Sequence, residues 1–188
     1  MDGGRIFVIG VRSNMTNKEN INLYESKESE VLIRNATESD LSKITELNDR
    51  EEENKENMEL QKQGKGQFIV LELSGEIIGF SFIYFEHESF HFPDREDLKG
   101  PFLEDVFIKE EFRHEGLGKL GLRKCEDVVR ENGKEKIITA VELENDVSVS
   151  FHEKNGFKEV EDSRFELPTR KNDEEVGYGA YFVKELVE

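Results

Sequence analysis

The chain has 188 residues, 35% of them hydrophobic, which is the length of one domain and enough for a core of its own. Its 43 acidic against 26 basic residues give a formal net charge of −17, which excludes sequence-independent nucleic-acid binding, a task that needs a basic footprint. The surplus suits attraction of a cationic substrate, and it suits plain solubility or a salty cytoplasm at least as well.

The run from Ile6 to Val11 is apolar but too short to cross a membrane, and no small-residue cleavage pattern follows it. It reads as an extra edge strand, or as irrelevant if translation begins at Met15. Residues 14–30 are polar and read as a linker or loose extension, so residues 1–30 are set apart from a domain at 31–188. Val31-Leu-Ile-Arg is a short strand. Thr37-Glu-Ser-Asp40 has the form of a capping box, with Leu41, Ile44 and Leu47 as the helical stripe behind it. From Asp49 to Gln63 nearly every residue is charged or an amide, with Met58 and Leu60 as the anchors. This is a second, exposed helix or a mobile segment.

Gln67–Leu73 and Glu76–Phe85 are strands joined at Ser74-Gly75, a hairpin signal. His87 to Pro101 is a loop. Phe102–Ile108 is apolar except for Glu104 and Asp105, as in a strand buried over most of its length. Leu117, Leu120, Cys125, Val128 and Val129 fall at helical spacing, and Asn132-Gly133 stops that helix. Lys136–Leu143 is a strand, Asp146–Lys154 a short helix, Phe157–Leu167 a strand and Val176–Leu186 the last strand. A lone cysteine, Cys125, cannot form an internal disulfide. It sets a reducing, cytoplasmic expectation and reads as core packing.

Chemistry enters at the turn between Ile108 and Leu117, which carries Arg113-x-x-Gly116-x-Gly118. Glycines remove side chains where a ligand would approach the backbone. The unpaired N–H groups of a helix's first turn, with the positive dipole end behind them, favour an anion. Arg113 adds a planar fork suited to phosphate. Gly116 to Gly121 also spells G-x-G-x-x-G, but the seven residues between Ile108 and Gly116 are too many for a dinucleotide turn. No Gly-Lys-Ser/Thr closes a P-loop. His87-Glu-Ser-Phe-His91 spells the zinc-protease motif, which works only on a helix. Phe80 to Phe85 alternate like a strand and Pro93 follows. In an extended chain the two imidazoles lie roughly 13 Å apart, beyond joint ligation at about 2.1 Å each, so no metal is expected.

Leu103-Glu-Asp-Val-Phe-Ile followed by Phe112-Arg-His-Glu-Gly-Leu-Gly resembles the acetyl-CoA signature of the GNAT N-acetyltransferase superfamily. Asn145-x-x-Ser148-x-x-Phe151-His152-Glu153-Lys154-Asn155-Gly156-Phe157 is similar to that family's second segment. The Leu-Glu-Asp-Val-Phe-Ile form looks closest to diamine or polyamine acetyltransferases. The resemblance implies an α/β (α+β) GNAT fold: a mixed, mostly antiparallel central sheet of six to seven strands, helices on both faces and a splayed central strand. It implies acetyl-CoA as co-substrate, a small-molecule amine acceptor, and no nucleic-acid or membrane partner. A homodimer through strand exchange or edge pairing is admitted by resemblance only.

Carried over residue by residue, the backbone of Val106, Phe107 and Ile108 would pair with the pantetheine arm. Arg113 and the N–H groups of His114, Glu115, Gly116, Leu117, Gly118 and Lys119 would hold the pyrophosphate. Glu115 departs from the basic residue that the family often carries there. Asn145 would hydrogen-bond the pantetheine, cap the following helix, or do both. An amine of pKa about 10.4 yields its free base at roughly 4.6 kcal/mol at pH 7, so a proton acceptor is expected. Glu104 is the candidate, acting through water with a pKa raised by burial, and its plainer reading is an edge charge paired with a base. Asp105 is the lesser candidate. His152 stands where most relatives carry a tyrosine that protonates the departing thiolate; it is either an imidazolium donor or a packing substitute. The function expected is acetyl-CoA-dependent N-acetylation of a primary amine by direct attack in a ternary complex. The alternatives are a non-catalytic acyl-CoA sensor and a protein N-terminal or lysine acetyltransferase.

Overall fold

Runs of Val, Ile, Leu and Phe at strand spacing and two amphipathic stripes at helix spacing set most of the elements. The computed structural model describes residues 22–25, 30–168 and 176–186. The apolar run at 6–11 and most of the 1–30 extension lie outside the described residues. The elements are β1 (Asn22–Glu25), β2 (Glu30–Asn35), α1 (Leu41–Asn48), α2 (Glu51–Lys62), β3 (Gly66–Leu73), β4 (Glu76–His87) and β5 (Gly100–Ile108). There follow α3 (Leu117–Glu131), β6 (Lys136–Glu142), α4 (Asp146–Lys154), β7 (Lys158–Pro168) and β8 (Val176–Glu185). The architecture is a mixed α/β fold with a mostly antiparallel sheet. Its described residues form two units, one up to Ile83 plus Asp105–Cys125, the other Tyr84–Glu104 plus the chain from Glu126.

In the first unit the strand order is β1-β2-β3-β4-β5. β2 pairs antiparallel with β3 from Val31↔Leu73 to Asn35↔Ile69, and Phe68, Phe80, Phe82, Ile69, Leu71, Ile33 and Ile44 are fully buried. The short β1 pairs with β2 from Asn22↔Ile33 to Glu25↔Glu30. A linker was expected at those polar residues, but a ladder is made by backbone N–H and C=O groups and needs no apolar alternation. Gly79 lets β5 close on β4, for a Cβ there would meet Phe107 O at 2.6 Å. Phe80 stacks on Phe107 at 5.3 Å.

Asp40 accepts the Thr37 N–H at 2.8 Å, the reciprocal half of the capping box. It also takes the Arg34 guanidinium in a two-pronged bond at 2.7 and 2.9 Å. The charged stretch after Asp49 is helical, and it is anchored differently from the sequence expectation. Leu60 is only half-buried, whereas Asn54 and Asn57 are buried beside Met58. Asn54 meets the cost of burial by donating to Thr45 Oγ1 at 3.1 Å and Asn48 Oδ1 at 2.8 Å.

In the second unit the order is β4-β5-β6-β8-β7. β6 pairs antiparallel with β8 from Lys136↔Glu185 to Glu142↔Gly179. β7 pairs with β8 across an irregularity between Glu159 and Arg164. There the Ser163 hydroxyl donates to Val160 O at 2.7 Å and accepts the Tyr181 N–H at 3.1 Å, replacing part of the ladder. β5 runs parallel to β6 through a single register position, Phe102↔Ile138, so their ladder does not run the length of β5. Leu98, Ile138 and Tyr181 form a core with Phe92, Phe102 and Phe165 packed on it. β4 continues to His87, two residues past the expected end, and a turn and a short 3₁₀ segment (Glu96–Leu98) lead to β5.

Candidate active site

β5 ends at Ile108, and the chain reaches α3 through a turn whose conformation its residues dictate. Arg113 donates Nε–H to Ile108 O at 2.9 Å, which secures the stem of the guanidinium. Its two terminal nitrogens make no hydrogen bond among the described residues. His114 and Gly116 have φ of +66° and +80°, a region glycine enters freely and histidine at a cost. A Cβ at Gly116 would find nothing within 4 Å, so this glycine is required by conformation and leaves open space beside the helix start. Leu120 N–H bonds Gly116 O at 3.2 Å, the first bond of α3. The N–H groups of Leu117, Gly118 and Lys119 therefore have no carbonyl of their own helix to reach. The turn thus presents the kind of N–H groups that an anion could accept from. His114 and Lys119 are exposed at it, and Glu115 is half-buried. Gly121 serves packing: a Cβ there would meet Leu71 of β3 at 3.2 Å. Val106 and Phe107 on β5 are half-buried and Ile108 is buried.

Glu104 is half-buried on β5 and accepts the Tyr84 hydroxyl of β4 at 3.0 Å. An aromatic group adjoins it. Tyr84 lies 6.4 Å from Phe102, and the His87 ring lies 4.2 Å from Phe102. His87 is held below its ordinary pKa by burial. Tyr84 was absent from the sequence expectation, because a cross-strand partner is visible only once the register is known. Asp105 lies near Arg50, whose Nη1 is 3.4 Å from its carboxylate. In the zinc-like motif His87 closes a strand while His91 stacks on Phe165 at 4.0 Å, so the helix that motif requires does not form.

Asn145 caps α4, its side chain accepting the Ser148 N–H at 3.1 Å. His152 is buried on α4. Its Nδ1–H donates to Ser148 O at 2.8 Å, and its ring stands edge-on to Phe151 at 5.3 Å and Phe157 at 5.2 Å. Burial lowers its pKa, outweighing the opposing pull of the bond to Ser148. The ring is therefore neutral at pH 7.

The fold can be set beside known structures. Ribosomal-protein-alanine N-acetyltransferase from Brucella melitensis superposes with a TM-score of 0.65 at 21% identity, covering 82% of this chain and 99% of that one. PaiA N-acetyltransferase from Thermoplasma acidophilum, solved in complex with coenzyme A, gives 0.61 at 17%, covering 82% and 98%. YncA from Salmonella typhimurium, solved with its cofactor acetyl-CoA, gives 0.64 at 20%, covering 84% and 95%. At these identities the likeness establishes the fold. The sequence model described as "Acetyltransferase (GNAT) family" matches residues 33–157, from β2 through α4 to the Phe157 that follows it. Since that span is well over half of the chain, the protein belongs to the GNAT acetyltransferase family.

Proposed function

We propose that this family member is an acetyl-CoA-dependent N-acetyltransferase, acting on a primary amine of a small, polyamine-like acceptor by direct attack in a ternary complex, with residues 31–188 as the acting domain in a cytoplasmic setting. The observation that carries the reading is the cradle: Gly116 at φ +80° with open space over it, at the start of a fifteen-residue helix, beside an arginine secured by its Nε. The residues fit a doubly phosphorylated tail, since bare N–H groups and a guanidinium both donate to phosphate oxygen. PaiA and YncA, solved with coenzyme A and acetyl-CoA, support it.

In this reading Arg113 and the N–H groups of His114–Lys119 hold the pyrophosphate, while the backbone of Val106, Phe107 and Ile108 and the Asn145 side chain hold the pantetheine. Acetyl-CoA, when bound, supplies a thioester carbonyl activated towards amines. Glu104 takes the ammonium proton through water, and the Tyr84 hydroxyl fixes the carboxylate orientation. His152, neutral and packed, supports α4 rather than donating a proton. Glu115, a charge of the wrong sign beside the cradle, and the missing tyrosine favour a second reading, a non-catalytic acyl-CoA sensor.

An amine panel with acetyl-CoA, followed by thiol release, decides between them. Turnover with small primary amines is the expected result. Tight acetyl-CoA binding without release on any amine would establish the sensor and overturn the enzyme.

A further inference from the structure

Among the described residues two buried side-chain polar atoms make no hydrogen bond, Ser81 Oγ and His87 Nε2. Burying a polar atom without a partner is costly, so each such atom calls for an explanation. Ser81 lies in the closed core beside Gly121. His87 differs, because the residue is only half-buried while its Nε2 is enclosed. It ends β4, and its ring lies on Phe102 with the centroids 4.2 Å apart. Tyr84, 6.1 Å from that ring, gives its hydroxyl to Glu104 at 3.0 Å. Phe102 and Glu104 are alternate residues of β5, so their side chains leave one face about 7 Å apart. A short chain of hydrogen-bonded waters spans such a distance.

The charges around His87 are few. Glu86 and Glu88 flank it in the chain, Glu88 stands 3.7 Å from Lys99, and Glu104 lies beyond Tyr84. Tyr181 backs Phe102 at 6.4 Å. Burial sets the state of the ring, holding its pKa below the ordinary value and leaving it neutral at pH 7. A neutral imidazole accepts a proton at that pH better than an ordinary carboxylate, whose pKa near 4.3 is a poor match.

We infer that His87 receives the proton that Glu104 takes from the acceptor's ammonium group, the two residues forming one relay. The inference deepens the proposed transferase reading and rests on it for its kinetic arm. The ammonium N–H bond breaks and its proton passes through water to the Glu104 carboxylate. The carboxyl gives a proton to the linking water as that water gives one to His87 Nε2, whose lone pair is available in the Nδ1–H tautomer. The imidazolium then releases a proton to bulk solvent, and both groups are restored. His87 acts through Glu104 and touches no reacting atom, which makes it a positioning residue.

The test measures kcat/KM for 1,4-diaminobutane with acetyl-CoA from pH 5 to 9 on the full chain, as wild type, His87→Phe and His87→Ala. Phenylalanine keeps the stacking on Phe102 and removes the nitrogen. His87→Phe should lose about tenfold at pH 7, the loss should shrink as rising pH supplies free amine, and added imidazole should restore His87→Ala. A rate for His87→Phe equal to wild type, or a loss of one size at every pH that imidazole does not recover, overturns the inference. Nitrogen-15 NMR of wild type and Glu104→Gln needs no turnover, with His87→Phe identifying the signal. It should show the Nδ1–H tautomer at pH 7 and a His87 midpoint that falls by about half a pH unit in Glu104→Gln, where no carboxylate favours the imidazolium. If the midpoint moves while no amine is acetylated, the coupling stands and the transferase reading falls. If it does not move, or the proton sits on Nε2, the relay is overturned whatever the thiol-release assay gives.

Discussion

Glu104 and His152, the two residues proposed from the sequence for proton transfer, sit in unlike surroundings. Glu104 keeps a hydroxyl donor and partial exposure, the setting of a carboxylate that can exchange protons with water. Glu104→Gln should lower kcat for a primary amine about a hundredfold at pH 7 and leave KM for acetyl-CoA unchanged. The loss should shrink as rising pH supplies free amine, and a pH–rate profile checks this. His152 is held neutral by burial, so His152→Phe should cost a flat few-fold in rate across pH 6–9 without displacing either limb of the profile. Its effect on stability has a definite sign. A histidine whose pKa is depressed in the fold binds its proton more readily when unfolded. Stability is therefore full above the ordinary value near 6.5 and declines as pH falls below it. Denaturant titrations between pH 7 and 5 should show a shallower decline for His152→Phe, with His87, also depressed by burial, supplying the remainder. Both residues were legible in the sequence as candidates. Their states were not, because the bond to Ser148 and the hydroxyl of Tyr84 follow from packing and register.

Among the elements, β2 and the 3₁₀ turn Glu38–Asp40 before α1 meet at one carboxylate, while Glu72 of β3 takes the same Arg34 guanidinium at 2.8 Å. Asp40 receives Arg34 and Thr37, and it titrates near 2 instead of 3.8, chiefly through the Arg34 hydrogen bond. Its contribution is present above the ordinary carboxylate value and is lost as pH falls from about 4 to 2. Asp40→Asn should cost roughly 2 kcal/mol at pH 7 and only about 0.4 kcal/mol at pH 2, where the carboxyl is half protonated, as read by denaturant unfolding at the two values. The capping signature was visible because it is local, with Thr37 and Asp40 three residues apart. The strand β1 was hidden, since a backbone ladder leaves no pattern in side chains. The burial of Asn54 was hidden for a related reason: an amide is admitted to the core only by partners, here Asn48 and Thr45, that a linear reading does not bring together. At the turn into α3 the opposite holds. A positive φ favours glycine at 116, so backbone geometry was written directly into the residue type.

At the scale of the molecule, a net charge of −17 acts over distances that no single contact covers. Association with a cationic amine should weaken as salt screens that field, by several-fold in kcat/KM between about 0.05 and 0.5 M salt, while a neutral acceptor analogue shows no such slope. Among the described residues no helix is long and apolar enough to cross a membrane. The edge strand β7 carries exposed Lys158, Glu159, Glu161, Asp162 and Arg164 together with an irregular register, devices that discourage open-edge pairing. The account as a whole depends on the turn between β5 and α3 receiving the phosphates of coenzyme A. Calorimetry of CoA binding to wild type and Arg113→Glu tests it most directly. The account predicts saturable binding to wild type and an affinity lower by at least about thirtyfold in the variant; equal affinities, or no binding to wild type, would contradict it.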